Sequence, residues 1–401
     1  MALREARPEV RLLVDCARTR VDSTTARSIR ELAGKGPDWR LLLRMAWQHG
    51  TAPLLYRSLD SIAADAVAPA ILEEMRGYVH AHAGRAALLT KELVKLLTLF
   101  ETDGIEAVPL KGPVLAATAY GNLALRMFSD LDVLVRKDQL PAVCKILVGQ
   151  GYRCPQDRLT PGRLDAFREL FNQHRFVCDR NAVVVEPHWE VIRRSFVVPF
   201  DMAELWGRAG TVFLGGTAVR TLAPEDLLLF LCAHGSQHLW SRLAWICDVA
   251  EVIRAHPAMD WETAMDRAAR IGGERSLLLG LYLANDLLDA ALPPEVSHKV
   301  RTEPMVKPLA TQVLRHLFQA PGIEPDVFRM AAFHIQTKER LRDKALYVLR
   351  ASTCPSYMEF DAFPLPASLL FLYPLILPVW RLIRHRRRFL KGSAGSRSHR
   401  A

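Results

Sequence analysis

The sequence predicts an α+β protein in which a strand-rich core lies between two helical regions. The first observation is that residues 1–103 and 223–350 repeat apolar side chains at the spacing of amphipathic helices. The second is that residues 104–222 contain short apolar runs bounded by turn residues, which are typical of strands. We therefore expect an N-terminal helical domain, a central core and a C-terminal helical domain. An apolar, proline-rich segment with a basic tail follows at 351–401.

The composition is that of a folded globular protein whose excess positive charge lies at one end. Half of the 401 residues are hydrophobic and 24% are charged. The net charge is +10, but eight of the 53 basic residues lie in residues 381–401, which contain no acidic residue. The rest of the chain nearly balances its 43 acidic residues. A general nucleic-acid-binding surface on the body is therefore not indicated.

Cysteine usage and the first residues favour a cytoplasmic protein. The seven cysteines are odd in number and have neither a C-x-x-C pair nor a zinc-like spacing. Reduced thiols in a cytoplasm fit this pattern best. Residues 1–5 mix charges and lack an apolar core, so we expect no signal peptide.

Helix signals run through the N-terminal region. Asp38, directly before Trp39, is suited to cap a helix start, and apolar residues recur at helical spacing in 10–14 and 41–46. Residues 69–100 have few helix breakers and an apolar stripe, so we expect one long helix there.

Strands and helices alternate after Gly104. Residues 105–110 predict a strand, and Pro113 is well placed at the first position of a helix that Gly121 ends. A second strand follows, and residues 137–148 predict the next helix.

Two hairpins are expected after this helix. Residues 174–178 and 182–186 form the arms of the first, and we expect Pro187 to break its ladder directly after Glu186. Residues 211–222 predict a second, smaller hairpin with a Gly-Gly turn.

The second strand carries two aspartates that predict a metal site. Asp130 and Asp132 project from the same face, because side chains two residues apart on a strand point the same way. The two carboxylates repel each other, and a divalent cation removes that conflict. Glu186 reaches the same metal if the two strands are neighbours; Asp179 and Glu190 are the alternative third acids. A strand end with two solvated acids is the alternative without a metal.

Histidines near these elements leave several roles open. His234 and His238 are four residues apart on a predicted helix, as zinc ligands are in zincins, but Gly235 stands where such a motif needs glutamate. Packing and the lining of a substrate cleft are both compatible with the pair. His188 follows Glu186 closely and is expected to support the site or line the same cleft.

The C-terminal segment allows three interpretations. Residues 363–380 contain no charge and approach the length that spans a bilayer, but four prolines oppose a straight transmembrane helix. The segment can pack on the protein body, or residues 363–391 can contact an anionic membrane at its inner face. A true span is the third possibility.

Three motifs together resemble a known family. They are L-K-G at 110–112, R-x-F-S-D-L-D-V-L-V at 126–135, and E-P-H-W at 186–189. They look like the uncharacterised bacterial nucleotidyltransferase family of the DNA polymerase beta-like superfamily, over roughly residues 35–260. The resemblance implies a small mixed β-sheet as the nucleotidyltransferase core, with helices on one side and flanking helical domains.

The resemblance also implies a reaction and its metal. A nucleoside monophosphate is expected to move from a triphosphate to an unidentified acceptor hydroxyl or phosphate. Asp130, Asp132 and Glu186 are the expected catalytic residues and ligands of Mg²⁺ or Mn²⁺. ATP is among the four possible donors, and base selectivity is not readable from these motifs.

Nucleotide binding is assigned to the residues around the first helix of the core. Lys111, Arg126 and the helix start after Gly112 are expected to offset phosphate charge, and Ser129 is placed to bond a phosphate oxygen. Gly112 is followed by Pro113, which has no N–H to donate, so Lys111 is expected to carry the phosphate contact.

Two other functions remain open at this point. One is a nucleotide- or partner-binding protein on the same fold that turns over weakly. The other is a small-molecule phosphotransferase, which would share the metal-binding acids. Products separate them, because nucleotidyl transfer releases pyrophosphate and a kinase releases a nucleoside diphosphate.

Overall fold

The computed structural model describes residues 6–154, 159–319, 327–365 and 367–381. The helices are α1 (Pro8–Cys16), α2 (Ser23–Gly34), α3 (Trp39–Gln48), α4 (Ala52–Ile62), α5 (Pro69–Thr102), α6 (Gly112–Thr118), α7 (Leu140–Gly149), α8 (Pro161–Leu170), α9 (Met202–Arg208), α10 (Pro224–Gln237), α11 (Leu243–Ala255), α12 (Trp261–Arg270), α13 (Glu274–Leu288), α14 (Pro294–Thr302), α15 (Val306–Leu317), α16 (Val327–Gln336), α17 (Leu341–Thr353) and α18 (Tyr357–Ala362). The strands are β1 (Ala107–Pro109), β2 (Asp130–Val135), β3 (Tyr152–Arg153), β4 (Phe176–Cys178), β5 (Val183–His188), β6 (Gly210–Leu214) and β7 (Thr217–Thr221).

Helix starts follow the capping chemistry that the sequence contains. The Asp38 side chain accepts a hydrogen bond from the Leu41 N–H and begins α3 at the predicted residue. Asp22 caps α2, and Asp260 caps α12, in the same way. The long helix predicted near residues 69–100 is α5, which has Pro69 in its first turn.

The central sheet is mixed, and the α+β prediction is confirmed. Its strand order is β1-β2-β5-β4-β3, in which β2 and β5 are parallel and the other pairs are antiparallel. Asp132 lies directly opposite Glu186 across the parallel pair. The strands that carry the predicted acids are therefore neighbours in register.

The ladder does not end at Pro187, so that prediction is wrong. β5 continues to His188, and Pro187 lies opposite Val133 of β2. Proline has no N–H, but its carbonyl still accepts a hydrogen bond from the His174 N–H over 3.0 Å. Losing one donor therefore does not stop the pairing, and His188 is brought onto the sheet.

Helices pack on both faces of the sheet, so the expectation of helices on one side is wrong. Leu131 and Val133 of β2 and Val185 of β5 are buried in one cluster with Leu93 of α5 and Val143 of α7. This burial confirms the predicted alternation along β2. Asp132 and Glu186 project from the opposite face.

Helices from both ends of the chain share a second hydrophobic core. Leu13 and Leu55 of the N-terminal region are buried in the same cluster as Leu228 and Leu277 of the C-terminal region. Polar contacts also join the two regions, since the Thr19 hydroxyl and N–H both donate to the Glu251 carboxylate. The N-terminal and C-terminal helical regions therefore pack against each other beside the sheet. The boundaries at residues 103, 222 and 350 stay a prediction.

The described part of the C-terminal segment packs on the sheet core. Tyr373 and Leu377 are buried in the cluster that covers the sheet. Phe371, Leu375 and Val379 on the other side are 67%, 68% and 58% exposed. In the described part of the chain, no helix combines the length and apolarity that crossing a membrane requires. The basic tail beyond these residues lies outside the described ranges.

We expect Gly235→Ala to destabilise the protein by about 1–3 kcal/mol through overpacking. A Cβ at Gly235 would lie 2.6–2.7 Å from three ring atoms of Trp240. That ring is fully buried, and Trp240 itself has a left-handed φ of 50°, so it cannot move away cheaply. Denaturant unfolding measures the effect.

The matched control is Gly84→Ala, in the exposed middle of α5. A Cβ at Gly84 meets no atom within 4 Å, so this change should stabilise the helix by about 0.5–1 kcal/mol. Equal effects of the two substitutions would show that Trp240 does not constrain Gly235.

Candidate functional site

Two carboxylates and an imidazole meet on the face of the sheet opposite to Leu131, Val133 and Val185. Asp132 is opposite Glu186, and His188 is two residues farther along β5, so all three side chains project from the same face. Their ligand atoms lie within 4.8 Å of one another, and all three residues are buried. We refer to Asp132, Glu186 and His188 as the metal cluster.

Asp132 is held by two cationic or donating neighbours. His188 donates from Nε2 to Asp132 Oδ1 over 3.1 Å, and Lys111 Nζ lies 3.1 Å from Oδ2. Burial alone would raise the pKa of Asp132, but the Lys111 charge and the His188 hydrogen bond hold it below its usual range. Asp132 is therefore ionised and ready to act as a ligand.

Glu186 has its own pair of donors in the residues that precede the adjacent strand β4. The Arg175 guanidinium donates to Oε1 over 2.9 Å, and the Gln173 amide donates to Oε2. Burial and the facing Asp132 charge nevertheless raise the pKa of Glu186. The repulsion between the two carboxylates is thus only partly relieved by protein groups.

The donor set of the metal cluster fits a divalent cation. Carboxylate oxygens suit magnesium and manganese, and an imidazole beside them suits zinc and other transition metals. The Nδ1 atom of His188 is buried and has no hydrogen-bond partner in the described part of the protein. A cation would relieve the charge conflict that raises the Glu186 pKa.

Asp130 lies one pair farther along the same face and outside the metal cluster. It is opposite Val184 on β5 and is only partly buried. Burial and the neighbouring Asp132 charge raise the pKa of Asp130. The structure adds His188 to the group around Asp132, and the metal role of Asp130 stays a prediction.

All of the predicted site residues line one cavity of about 390 Å³, which we name the site cavity. They are Lys111, Gly112, Arg126, Ser129, Asp130, Asp132, Glu186, His188, His234 and His238. The alternative third acids are elsewhere, since Asp179 forms an ion pair with Arg153, and Glu190 forms one with Arg194. Glu186 is the only one of the three candidate third acids that faces the aspartates.

The Lys-Gly turn connects the site cavity to helix α10. Gly112 has a φ of 61°, a left-handed conformation that favours glycine, and its backbone passes close to Asp130. Lys111 Nζ lies 3.4 Å from His234 Nε2. Burial and the Lys111 charge lower the pKa of His234, so its neutral ring accepts a hydrogen bond from the Lys111 ammonium group.

The second histidine of the predicted pair, His238, also lines the site cavity, and burial lowers its pKa to about 3.

Arg126 is committed to a buried ion pair. Its Nε and Nη2 donate to the two oxygens of Asp248 over 2.7 and 2.8 Å, and the Tyr120 hydroxyl donates to the same carboxylate. This ion pair connects the segment that precedes β2 to helix α11. The phosphate-binding role of Arg126 stays a prediction, although the residue lines the site cavity.

Several residues in or beside the site cavity were not predicted. Arg175 contacts Glu186 without lining the cavity. It had no usable signal, because the predicted arms 174–178 and 182–186 put His174, not Arg175, opposite Glu186. Arg193 and Arg242 had none either, since they lie between elements and reach the cavity only through the tertiary fold. Neither guanidinium has a carboxylate partner among the described residues.

A family model described as an uncharacterised nucleotidyltransferase matches residues 35–289. The chain belongs to this family. The match covers the metal cluster, the site cavity and helices from both ends of the chain, so the family resemblance of the motifs is confirmed. The bacterial origin stays a prediction. A comparison with curated proteins finds no match.

Membership makes this protein an enzyme of the nucleotidyltransferase type with a nucleoside triphosphate as donor. Enzymes of this type use divalent metal ions, and the metal cluster is a group that could hold one. The part that the acids on β2 and β5 play in this reaction stays a prediction.

We expect Asp248→Ala to destabilise the nucleotidyltransferase by about 3–5 kcal/mol. The change leaves the buried Arg126 charge without its partner and removes the acceptor of the Tyr120 hydroxyl. Denaturant unfolding at neutral pH measures the loss.

Glu73→Ala is the matched control, because it removes a carboxylate from the exposed Arg76 pair on α5. This variant should unfold at the wild-type denaturant concentration. An Asp248→Ala protein as stable as this control would contradict the structural role of the Arg126 pair.

Proposed function

We propose that the enzyme transfers a nucleoside monophosphate from a triphosphate to an acceptor hydroxyl or phosphate, with Mg²⁺ or Mn²⁺ bound at Asp132, Glu186 and His188. One observation carries this proposal: two acids on adjacent parallel strands face each other in a cavity that also holds a lysine. Asp130 completes the acidic face as a further ligand when the nucleotide is present.

In this mechanism the protein groups position the cation and the phosphate groups of the donor. A divalent ion bound here would neutralise the triphosphate and lower the pKa of the attacking hydroxyl. Lys111 would contact a phosphate oxygen once the bound cation takes over the Asp132 charge. Ser129 and Arg242, which face the same cavity, would bind the remaining phosphate oxygens.

The transfer step needs a base as well as charge neutralisation. The acceptor oxygen attacks the α-phosphorus, the bond to the bridging oxygen of the β-phosphate breaks, and pyrophosphate leaves. The acceptor proton passes to a carboxylate, for which Glu186 is the best candidate. It lines the site cavity directly opposite Asp132, so its carboxylate is within reach of a hydroxyl that is bound there.

We expect wild-type protein to bind one nucleoside triphosphate in the presence of Mg²⁺ or Mn²⁺. Asp132→Asn and Glu186→Gln should each weaken this binding by more than about 100-fold, because losing a metal ligand exceeds the 10–100-fold loss typical of outer-shell changes. Calorimetry with the four triphosphates measures the affinities.

The controls are Asp179→Asn and Glu190→Gln, which alter the acids outside the site cavity and should bind nucleotide as wild type does. The absence of binding for all four triphosphates with either metal would contradict the proposal. Products identify the reaction: pyrophosphate supports nucleotidyl transfer, whereas a nucleoside diphosphate would indicate a phosphotransferase. Binding without either product would indicate a binding protein.

We further propose that the C-terminal segment attaches the enzyme peripherally to the inner face of an anionic membrane, which keeps it in the cytoplasm. Phe371, Leu375 and Val379 are spaced four residues apart and form an exposed apolar stripe. The basic residues of 381–391 follow the stripe in the sequence. Anionic bilayers bind segments in which apolar side chains can insert next to positively charged residues.

We expect the full-length protein to co-sediment with vesicles that contain phosphatidylglycerol, and less with vesicles of phosphatidylcholine alone. The double change Phe371→Ser and Leu375→Ser should weaken binding by at least about tenfold, because it removes apolar area from the stripe. High salt should weaken binding further, through screening of the basic residues.

Phe213→Ser is the matched control, because Phe213 is 75% exposed on the separate β6–β7 hairpin. This change should leave vesicle binding intact. Equal binding to neutral and anionic vesicles, or equal binding of the double variant, would contradict peripheral attachment by this segment.

A further inference from the structure

A second, larger cavity adjoins the site cavity. It has a volume of about 530 Å³ and shares four lining residues with the site cavity: Asn172, Arg193, Gln237 and His238. We refer to it as the side cavity. Asn172 is followed by Gln173, whose amide donates to Glu186, so the wall between the cavities ends at the metal cluster.

The side cavity has an aromatic wall. Phe171 and Tyr357 stack with their ring centroids 4.2 Å apart, and Phe196 and Tyr347 line the same space. Tyr357 comes from α18, so the C-terminal part of the chain closes the cavity around these rings. Such a wall is suited to a flat or apolar portion of a ligand.

Two arginines of the side cavity have no acidic partner in the described part of the protein. Arg194 is paired with Glu190, and Arg381 is paired with Glu359. Arg350 donates only to the Arg194 carbonyl, and neither Arg350 nor Arg193 has a carboxylate partner among the described residues. Guanidinium groups that face a cavity without a counter-charge are suited to bind a phosphate or carboxylate group.

We propose that the side cavity binds the acceptor, and that this acceptor carries an anionic group together with an aromatic or apolar portion. Arg350 and Arg193 would hold the anionic group, and the Phe171–Tyr357 wall would hold the apolar portion. This inference rests on the proposed nucleotidyl transfer. It deepens that proposal by naming the chemical class of the acceptor.

The geometry gives the acceptor a defined direction of attack. A molecule in the side cavity reaches the metal cluster past Asn172 and Gln173, and its hydroxyl then meets the donor phosphate in the site cavity. A new bond forms between the acceptor oxygen and the α-phosphorus, pyrophosphate leaves, and the hydroxyl proton passes through Glu186 to solvent. Donor and acceptor thus enter from different cavities.

The test uses 2-naphthyl phosphate as a probe and its neutral analogue 2-naphthol, measured by fluorescence and calorimetry with the full-length protein. Wild type should bind the phosphate at one site. Arg350→Gln should weaken this binding by at least about tenfold, because a charge-assisted hydrogen bond is lost. It should change the binding of 2-naphthol by less than about twofold, and Arg350→Lys should restore part of the affinity.

A second variant fills the side cavity and leaves the Arg350 charge in place. Ala351→Trp places a large ring in the side cavity and should abolish the binding of both probes. The matched control is Arg40→Gln, which removes an exposed arginine on α3, outside both cavities, and should leave both affinities unchanged. Thermal unfolding of each variant confirms that the protein is folded.

The outcomes separate this inference from the proposed reaction. If nucleotide binds with Mg²⁺ but 2-naphthyl phosphate does not, or if Arg350→Gln binds the phosphate as wild type does, the acceptor site is wrong. If nucleotide displaces 2-naphthyl phosphate, the side cavity belongs to the donor and the acceptor assignment is also wrong. If 2-naphthyl phosphate binds and no nucleotide does, the anion-binding cavity stands and nucleotidyl transfer fails.

Discussion

The parallel pairing of β2 with β5 is the constraint on which the site depends. It places Asp132 directly opposite Glu186, and a shift of one residue would turn one of these side chains into the apolar core. The register is fixed from the other side of the sheet, where Leu131, Val133 and Val185 are buried. The same alternation therefore stabilises the fold and presents the acids.

The repulsion between these acids is balanced from different parts of the chain. Lys111 approaches Asp132 from the loop before α6, and Arg175 approaches Glu186 from the position just before β4. A single neighbouring element cannot supply both charges, so the site exists only when the whole sheet is assembled. Burial and the Asp132 charge still raise the pKa of Glu186, and a divalent cation bound here would balance the remaining negative charge.

The sequence predicted the parts of the site that depend on local periodicity. The face shared by Asp130 and Asp132 follows from the two-residue period of a strand, and the hairpin that carries Glu186 follows from turn residues around a valine run. The prediction for Pro187 failed because it considered only the N–H that proline lacks. The Pro187 carbonyl still accepts a hydrogen bond, so the strand pairing continues. Arg193 and the side cavity had no local signal.

The sequence by itself determined the fold class, since strand alternation and helix capping act over a few residues, and the resemblance of its motifs indicated the nucleotidyltransferase family. Only the tertiary structure decided which groups meet. It placed His188 beside Asp132, committed Arg126 to Asp248, and joined the helices of both chain ends in one core. These contacts link residues far apart in the chain, and their distances follow from packing and strand register, which no local pattern specifies.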